Sequence, residues 1–190
     1  MASLLVNFME IMDSFLEQTK SFARRAHEGQ VRKYTGEPYV EHVLAVGLMY
    51  QTYAESVDTN ALYAAILHDT VEDCDVTIEE IQSKFGDKVA EYVWYLTKPE
   101  SFVGDRAQRK ALDCARLALA PSVVRFIKTL DIMHNAKSIK KEDPQMWSTW
   151  RIEMRHLLDA MKARSVWLEN VHPSAFNMYD NFYAELIAEL

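Results

Sequence analysis

Glycine and proline are scarce, at five of each in 190 residues. That leaves little room for flexible linkers or low-complexity tracts. Cysteine is scarcer still. Cys74 and Cys114 are the only two, which provides no disulfide framework and reads as free thiols in a reducing cytoplasm. Positive charge is also short: 21 Lys and Arg stand against 28 Asp and Glu, a net charge of −7. A nucleic-acid polymer needs a basic footprint that neutralises several phosphates, so such a partner is excluded. A small phosphorylated ligand needs only a few cations placed locally. No apolar run approaches the ~20 residues that span a bilayer, so no membrane partner is expected. The start, Met1-Ala2-Ser3-Leu4-Leu5-Val6-Asn7-Phe8, has no basic region, and Glu10 and Asp13 break up its apolar residues. It reads as the start of a helix and not as a signal peptide. Period-two alternation, hairpin turns and internal repeats are all missing.

What is present is helical patterning in an ordinary globular composition, 49% apolar and 26% charged. Length alone suits one domain over residues 1–190, with a core that needs no covalent staples. Leu5, Phe8, Met9, Met12, Phe15, Leu16, Phe22, Ala23 and Ala26 recur at helical spacing, and Gly29 stops them. A loop follows, and Pro38 opens a helix carrying His42, with Val43, Val46, Leu48 and Met49 turned inward. Asp58-Thr59 caps the next helix, and Thr77-Ile78-Glu79-Glu80 forms a capping box for one that ends at Phe85-Gly86. Further helices are expected at 87–97, closed by Pro99, and then at 105–120, 122–139, 144–162 and 174–190. The expected fold is therefore all α, a bundle of about eight to ten helices.

One stretch stands out: Leu67-His68-Asp69-Thr70-Val71-Glu72-Asp73. It ends an apolar run with an imidazole and three carboxylates, which a packed core alone would not select. On a continuous helix His68 would share a face with Glu72, and Asp69 with Asp73. A divalent metal would reconcile these groups, since it takes imidazole nitrogen and carboxylate oxygen together. Upstream stands Pro38-Tyr39-Val40-Glu41-His42, and downstream Lys128-Thr129-Leu130-Asp131-Ile132-Met133-His134-Asn135. Asp131, His134 and Asn135 lie one helical turn apart and face one way.

These stretches resemble the HD-domain metallohydrolases, in particular the alarmone hydrolase branch that holds the SpoT/RelA hydrolase domains and small Mesh1-like hydrolases. Arg32-Lys33 resembles the family's R-K pair, Pro38 to His42 its P-Y-x-x-H, His68 to Asp73 its H-D-x-x-E-D, and Leu96-Thr97-Lys98 its L-T-K. Lys128, Asp131 and His134-Asn135 resemble K-L-A-D-R-L-H-N, with Thr129-Leu130 and Ile132 departing from it. The resemblance covers residues 22–155 and leaves the helices over 144–190 largely as an extension. It implies a metal site between helices formed by His42, His68, Asp69 and Asp131, with Mn²⁺ as the ion. The chemistry of that donor set leaves Fe²⁺, Zn²⁺ or Mg²⁺ open. The resemblance further implies that Glu72 and Asp73 orient and deprotonate the attacking water, with Glu72 taken as the nearer to the proton. Arg32 and Lys33 would hold phosphate, Lys128 and Asn135 would flank the substrate, and Arg151, in a Trp147-Ser148-x-x-Arg151 stretch, would approach it.

The activity so implied is hydrolysis of the 3′-pyrophosphate of (p)ppGpp or a related alarmone by a stand-alone domain with no synthetase. Two other readings remain in play. The same site could act on ppApp, the NADPH 2′-phosphate or a nucleoside monophosphate, or the chain could be a non-catalytic nucleotide- or protein-binding module. A homodimer would be one way to cover apolar terminal helices. Arg106, Arg109 and Lys110 form a second basic group, either phosphate-facing or simply solvated. Trp94, Trp147, Trp150 and Trp167 are assigned to the core.

Overall fold

The computed structural model describes residues 2–98 and 104–188, with side chains from residue 13 onward except Ser174. The expected inward positions at Leu5, Phe8, Met9 and Met12, and the break at Pro99, fall outside what is described. Among the described residues eleven α-helical segments follow one another: α1 Ala2–Ala26, α2 Val40–Tyr53, α3 Thr59–Leu67, α4 Thr70–Asp73, α5 Ile78–Phe85, α6 Asp87–Leu96, α7 Arg106–Ala118, α8 Ser122–Glu142, α9 Pro144–Ala160, α10 Ala163–Asn170 and α11 Phe176–Ile187. The single turn α4 apart, ten helices make the fold all α. Among the described residues the extended pairing amounts to two isolated bridges, Val31 with Pro38 and Ala54 with Val171.

The caps sit where side-chain chemistry places them. The Asp58 carboxylate accepts from Asn60 N–H at the start of α3, and Thr77 Oγ1 from Glu80 N–H at the start of α5. Asp105 and Gln108 close a reciprocal capping box on α7. Gly86 ends α5 at φ +89°, a conformation open to glycine at little cost.

Three expectations need correction. Pro38 does not open α2; it pairs with Val31, and its carbonyl accepts from Glu41 N–H. Leu48 points outward at 64% exposure, while Gly47 and Tyr50 join Val43 and Val46 inside. No helix is expected between 162 and 174, yet after α9 ends at Ala160 the left-handed backbone of Lys162 (φ 51°) starts a separate helix, α10.

The core is built around α3. Every residue from Ala61 to Leu67 is buried, so beyond its first two residues this helix has no solvent face. Helices α1, α2, α6 and α8 pack round it, and α9, α10 and α11 extend the same hydrophobic cluster on the far side of α8. Gly47 permits the closest approach: a Cβ there would lie 2.6 Å from Ile66 Cγ1, so α2 and α3 meet backbone to side chain. Phe126 and the fully buried Trp167 fill the interface of α8 with α10. Trp147 is also buried, but Trp94 is half exposed and does not belong to the core.

Candidate metal centre

The apolar run of α3 ends where Thr70 Oγ1 donates to Leu67 O at 2.7 Å. His68 and Asp69 therefore lie in a break between α3 and α4, not on one continuous helix. One α-type turn, Asp73 N–H to Asp69 O, follows the break. The break turns both side chains toward α2 and α8. His42, in the first turn of α2, and Asp131, in the middle of α8, meet them. His42 Nε2 lies 3.1 Å from Asp131 Oδ1 and 3.5 Å from Asp69 Oδ2, and His68 Nε2 lies 3.7 Å and 3.0 Å from the same two oxygens. His42, His68 and Asp131 are buried, with ligand atoms within 4.8 Å of one another.

The outer faces of these ligands are held by named partners. His68 Nδ1 lies 2.8 Å from Ala65 O, and a carbonyl only accepts, so Nδ1 carries the proton. In a neutral ring, Nε2 then offers a lone pair. That lone pair faces two carboxylates, an arrangement that repels unless a cation stands between them. Neither Nε2 has a hydrogen-bond partner despite full burial. The donor chemistry thus fits a divalent metal, and a proton is the poorer substitute. The field has the same sign: burial opposes charge on His68, yet Asp69 and Asp131 outweigh it and push its pKa up to about 10. Burial likewise opposes ionisation of Asp69 and Asp131. His68 and His42 with Asp69, and Lys128 with both imidazoles for Asp131, nevertheless hold the carboxyls well below their usual range.

Asp131 is fixed on both oxygens, by Asn135 Nδ2 on Oδ1 at 2.6 Å and Lys128 Nζ on Oδ2 at 2.8 Å. The geometry thus engages Lys128 and Asn135 first with a carboxylate. Asp69 accepts from Tyr39 O–H at 2.8 Å, and the Tyr39 ring stacks on buried His27. His42 Nδ1 is 2.8 Å from His134 Nδ1. Burial, and then the charges of His42 and Arg32, push His134 down to about 4, so it meets His42 as a neutral ring. Partners of this kind fix tautomer and ring orientation at metal sites. Neither contact follows from spacing alone, although Tyr39 sits one turn before His42.

Around this cluster the remaining candidates fall into two groups. Arg32 is at the site: a turn closed by Arg32 N–H to Glu37 O lets its guanidinium reach Ser138 on α8 at 3.2 Å and lie 5.7 Å from the Tyr39 ring centroid. Glu72 and Asp73 line a polar cavity of about 710 Å³ with Arg25, Glu28, Gln30 and Cys74. Lys33 instead lies over the Tyr34 ring, 4.8 Å from its centroid. Arg151 is buried in the packing of α9 on α11, where Nη1 donates to Leu186 O. In the second basic group, Arg106 and Lys110 both pair with Glu153.

A helical bundle that gathers two imidazoles and two carboxylates from α2, the α3–α4 break and α8 has the architecture of a metal-dependent hydrolase. Comparison with known proteins agrees. The HD domain family matches residues 20–146. The chain is 32% identical over 139 residues to a zebrafish (Danio rerio) protein named guanosine-3′,5′-bis(diphosphate) 3′-pyrophosphohydrolase MESH1, covering 73% of this chain and 76% of that one. The human protein of the same name is 31% identical with the same coverage. A Vibrio cholerae 3′-pyrophosphohydrolase is 41% identical over 55% of this chain but only 15% of its own length. Among solved structures, a metazoan orthologue of SpoT described as hydrolysing ppGpp superposes with a TM-score of 0.69 at 26% identity, over 77% of this chain and 85% of that one. The chain belongs to the HD domain family, and it is an enzyme of the hydrolase type. Among the described residues no helix is long and apolar enough to cross a membrane.

Proposed function

We propose that residues 1–190 form one cytoplasmic hydrolase domain that removes the 3′-pyrophosphate of (p)ppGpp with Mn²⁺ as its ion, giving GDP or GTP and pyrophosphate. The observation that carries this reading is the pair of buried, unpartnered imidazole nitrogens aimed at Asp69 and Asp131. The relatives named above, which carry ppGpp hydrolysis in their names, support this choice of substrate. His42, His68, Asp69 and Asp131 would hold the ion. When bound, it supplies Lewis acidity, drawing charge from a phosphoryl oxygen and making a water more acidic.

The chain's own side chains do the rest. Tyr39 keeps Asp69 in place, and Lys128 with Asn135 keeps Asp131 in place. Arg32 stands at the rim, where its fork of donors suits a phosphate, and Lys33 can swing from Tyr34 to add a second charge. Lys128, Asn135 and Arg151 remain the further candidates for contact with the nucleotide. Glu72 and Asp73 act on the water. Its oxygen attacks the phosphorus bonded to the ribose 3′-oxygen, its proton passes to this carboxylate pair, and the P–O3′ bond breaks as the 3′-oxygen gains a proton. Burial, Asp69 and Glu72 raise the pKa of Asp73, which suits it to keep that proton.

The test is product analysis after incubation of the purified protein with ppGpp in Mn²⁺ and again in EDTA. Release of GDP and pyrophosphate only with Mn²⁺ is the expected outcome. No turnover of ppGpp, with turnover of ppApp, NADPH or a nucleoside monophosphate, would replace the substrate. Failure of the whole panel would leave a binding module.

A further inference from the structure

Glu72 is not loose at the mouth of the site. Its Oε2 accepts from the backbone N–H of Lys98 at 3.1 Å, and its Oε1 accepts from the Lys98 ammonium. Lys98 immediately follows the C-cap of α6, where Thr97 N–H closes on Val93 O. The two residues are 26 apart in sequence, so the contact joins the α4 turn to the far end of another helix. A backbone donor cannot move without moving the end of α6, so one of the two bonds is set by the fold itself. The other supplies charge. Neither residue needs the pair for stability: side-chain exposures of 25% and 46% make it a surface ion pair of small worth.

We propose that Lys98 is a positioning residue for the hydrolysis: it holds the Glu72 carboxylate aimed at the attacking water, and so ties the exit of α6 to the chemistry. This rests on the assignment of Glu72 to the water-handling pair. An ionised carboxylate only accepts hydrogen bonds, which is what orienting a water requires. Among the described residues the other charged groups round Glu72 are few. Lys128 on α8 feels its charge, Asp73 adjoins it, and Arg25 at the end of α1, Glu28 just beyond that helix and Asp75 line the shared cavity. Lys98 is the cation in direct contact.

Two readouts test this on the full chain. In Lys98→Met the backbone N–H remains and the ammonium is lost, so the carboxyl ¹³C signal of Glu72, assigned against a Glu72→Gln control, should change its chemical shift at pH 7. On ppGpp, kcat should fall about tenfold with KM little changed, and Lys98→Arg should restore both readouts. An unmoved Glu72 signal would overturn the proposal. So would a moved signal with an unchanged kcat. Should the wild type not hydrolyse ppGpp at all, the substrate assignment falls, while the Glu72 signal still decides the pairing.

Discussion

Asp69 and Asp131 are both anions beside imidazoles, but their surroundings predict different consequences for stability. Asp131 is 4% exposed and balanced by Lys128 as well as by the histidines. Removing Lys128 would leave Asp131 Oδ2 without its donor, with Asn135 and the two imidazoles on the other oxygen, and Lys128→Met should cost about 1–3 kcal/mol, read by chemical denaturation of metal-free protein. Asp69 is more accessible, and its loss leaves Asp131 still paired. Asp69→Ala should therefore abolish turnover while shifting the metal-free Tm by no more than about 2–4 °C. Full activity in that variant would remove Asp69 from the site. The ligand types were legible in the sequence because imidazole and carboxylates crowd the end of an apolar run. Their convergence was not, since ligands on separate helices can be placed anywhere; the resemblance supplied that step. His134 reads from the sequence as a support for the packing or for the ligands, and it does meet His42, but the contacts of Tyr39 with Asp69 and of Lys98 with Glu72 stayed hidden because each joins separate elements.

Element by element, the sequence marks helices well where a side chain ends them. Asp58, Thr77, Gly86 and Asp105 all act at the expected places. It fails where the backbone turns without a signature. Lys162 takes a left-handed conformation that carries no glycine or asparagine to betray it, so α10 was invisible. The break after Leu67 is similar: Thr70 bonds back to Leu67 O, and no proline or glycine announces it. Gly47 shows packing overruling propensity. Glycine inside a helix costs about 1 kcal/mol relative to alanine, so Gly47→Ala should stabilise an isolated α2. The 2.6 Å approach to Ile66 reverses the sign, and a net loss of about 1–3 kcal/mol is expected by thermal or urea denaturation. Because α2 carries His42 and α3 leads to His68, the same variant should bind Mn²⁺ more weakly by calorimetry. A more stable variant with unchanged affinity would mean that the two helices can slide apart freely.

At the scale of the whole molecule, the candidate ligands come from chain positions 42, 68–69 and 131, so a bound ion would tie α2, the α3–α4 break and α8 together. An ion that binds only the folded state stabilises it by about 2.7 kcal/mol at a hundredfold excess over Kd. For a chain of this length that is roughly 5–10 °C in Tm. Addition of Mn²⁺ to stripped protein should raise Tm by this amount, and Asp131→Asn should lose most of the gain. No rise in the wild type would argue against a metal here.

Beyond its first two residues helix α3 has no face toward water, and His68 stands at its end. Its amide protons can then meet solvent only when the bundle around it comes apart. In deuterium exchange, residues Ala61 to Leu67 should be among the last to lose their protons, at the rate of global opening. The half-exposed rim around Arg32 should exchange much earlier. The molecule would thus keep its metal-holding groups on its slowest clock and its substrate-facing groups on a fast one, so that nucleotides could come and go without the centre ever loosening.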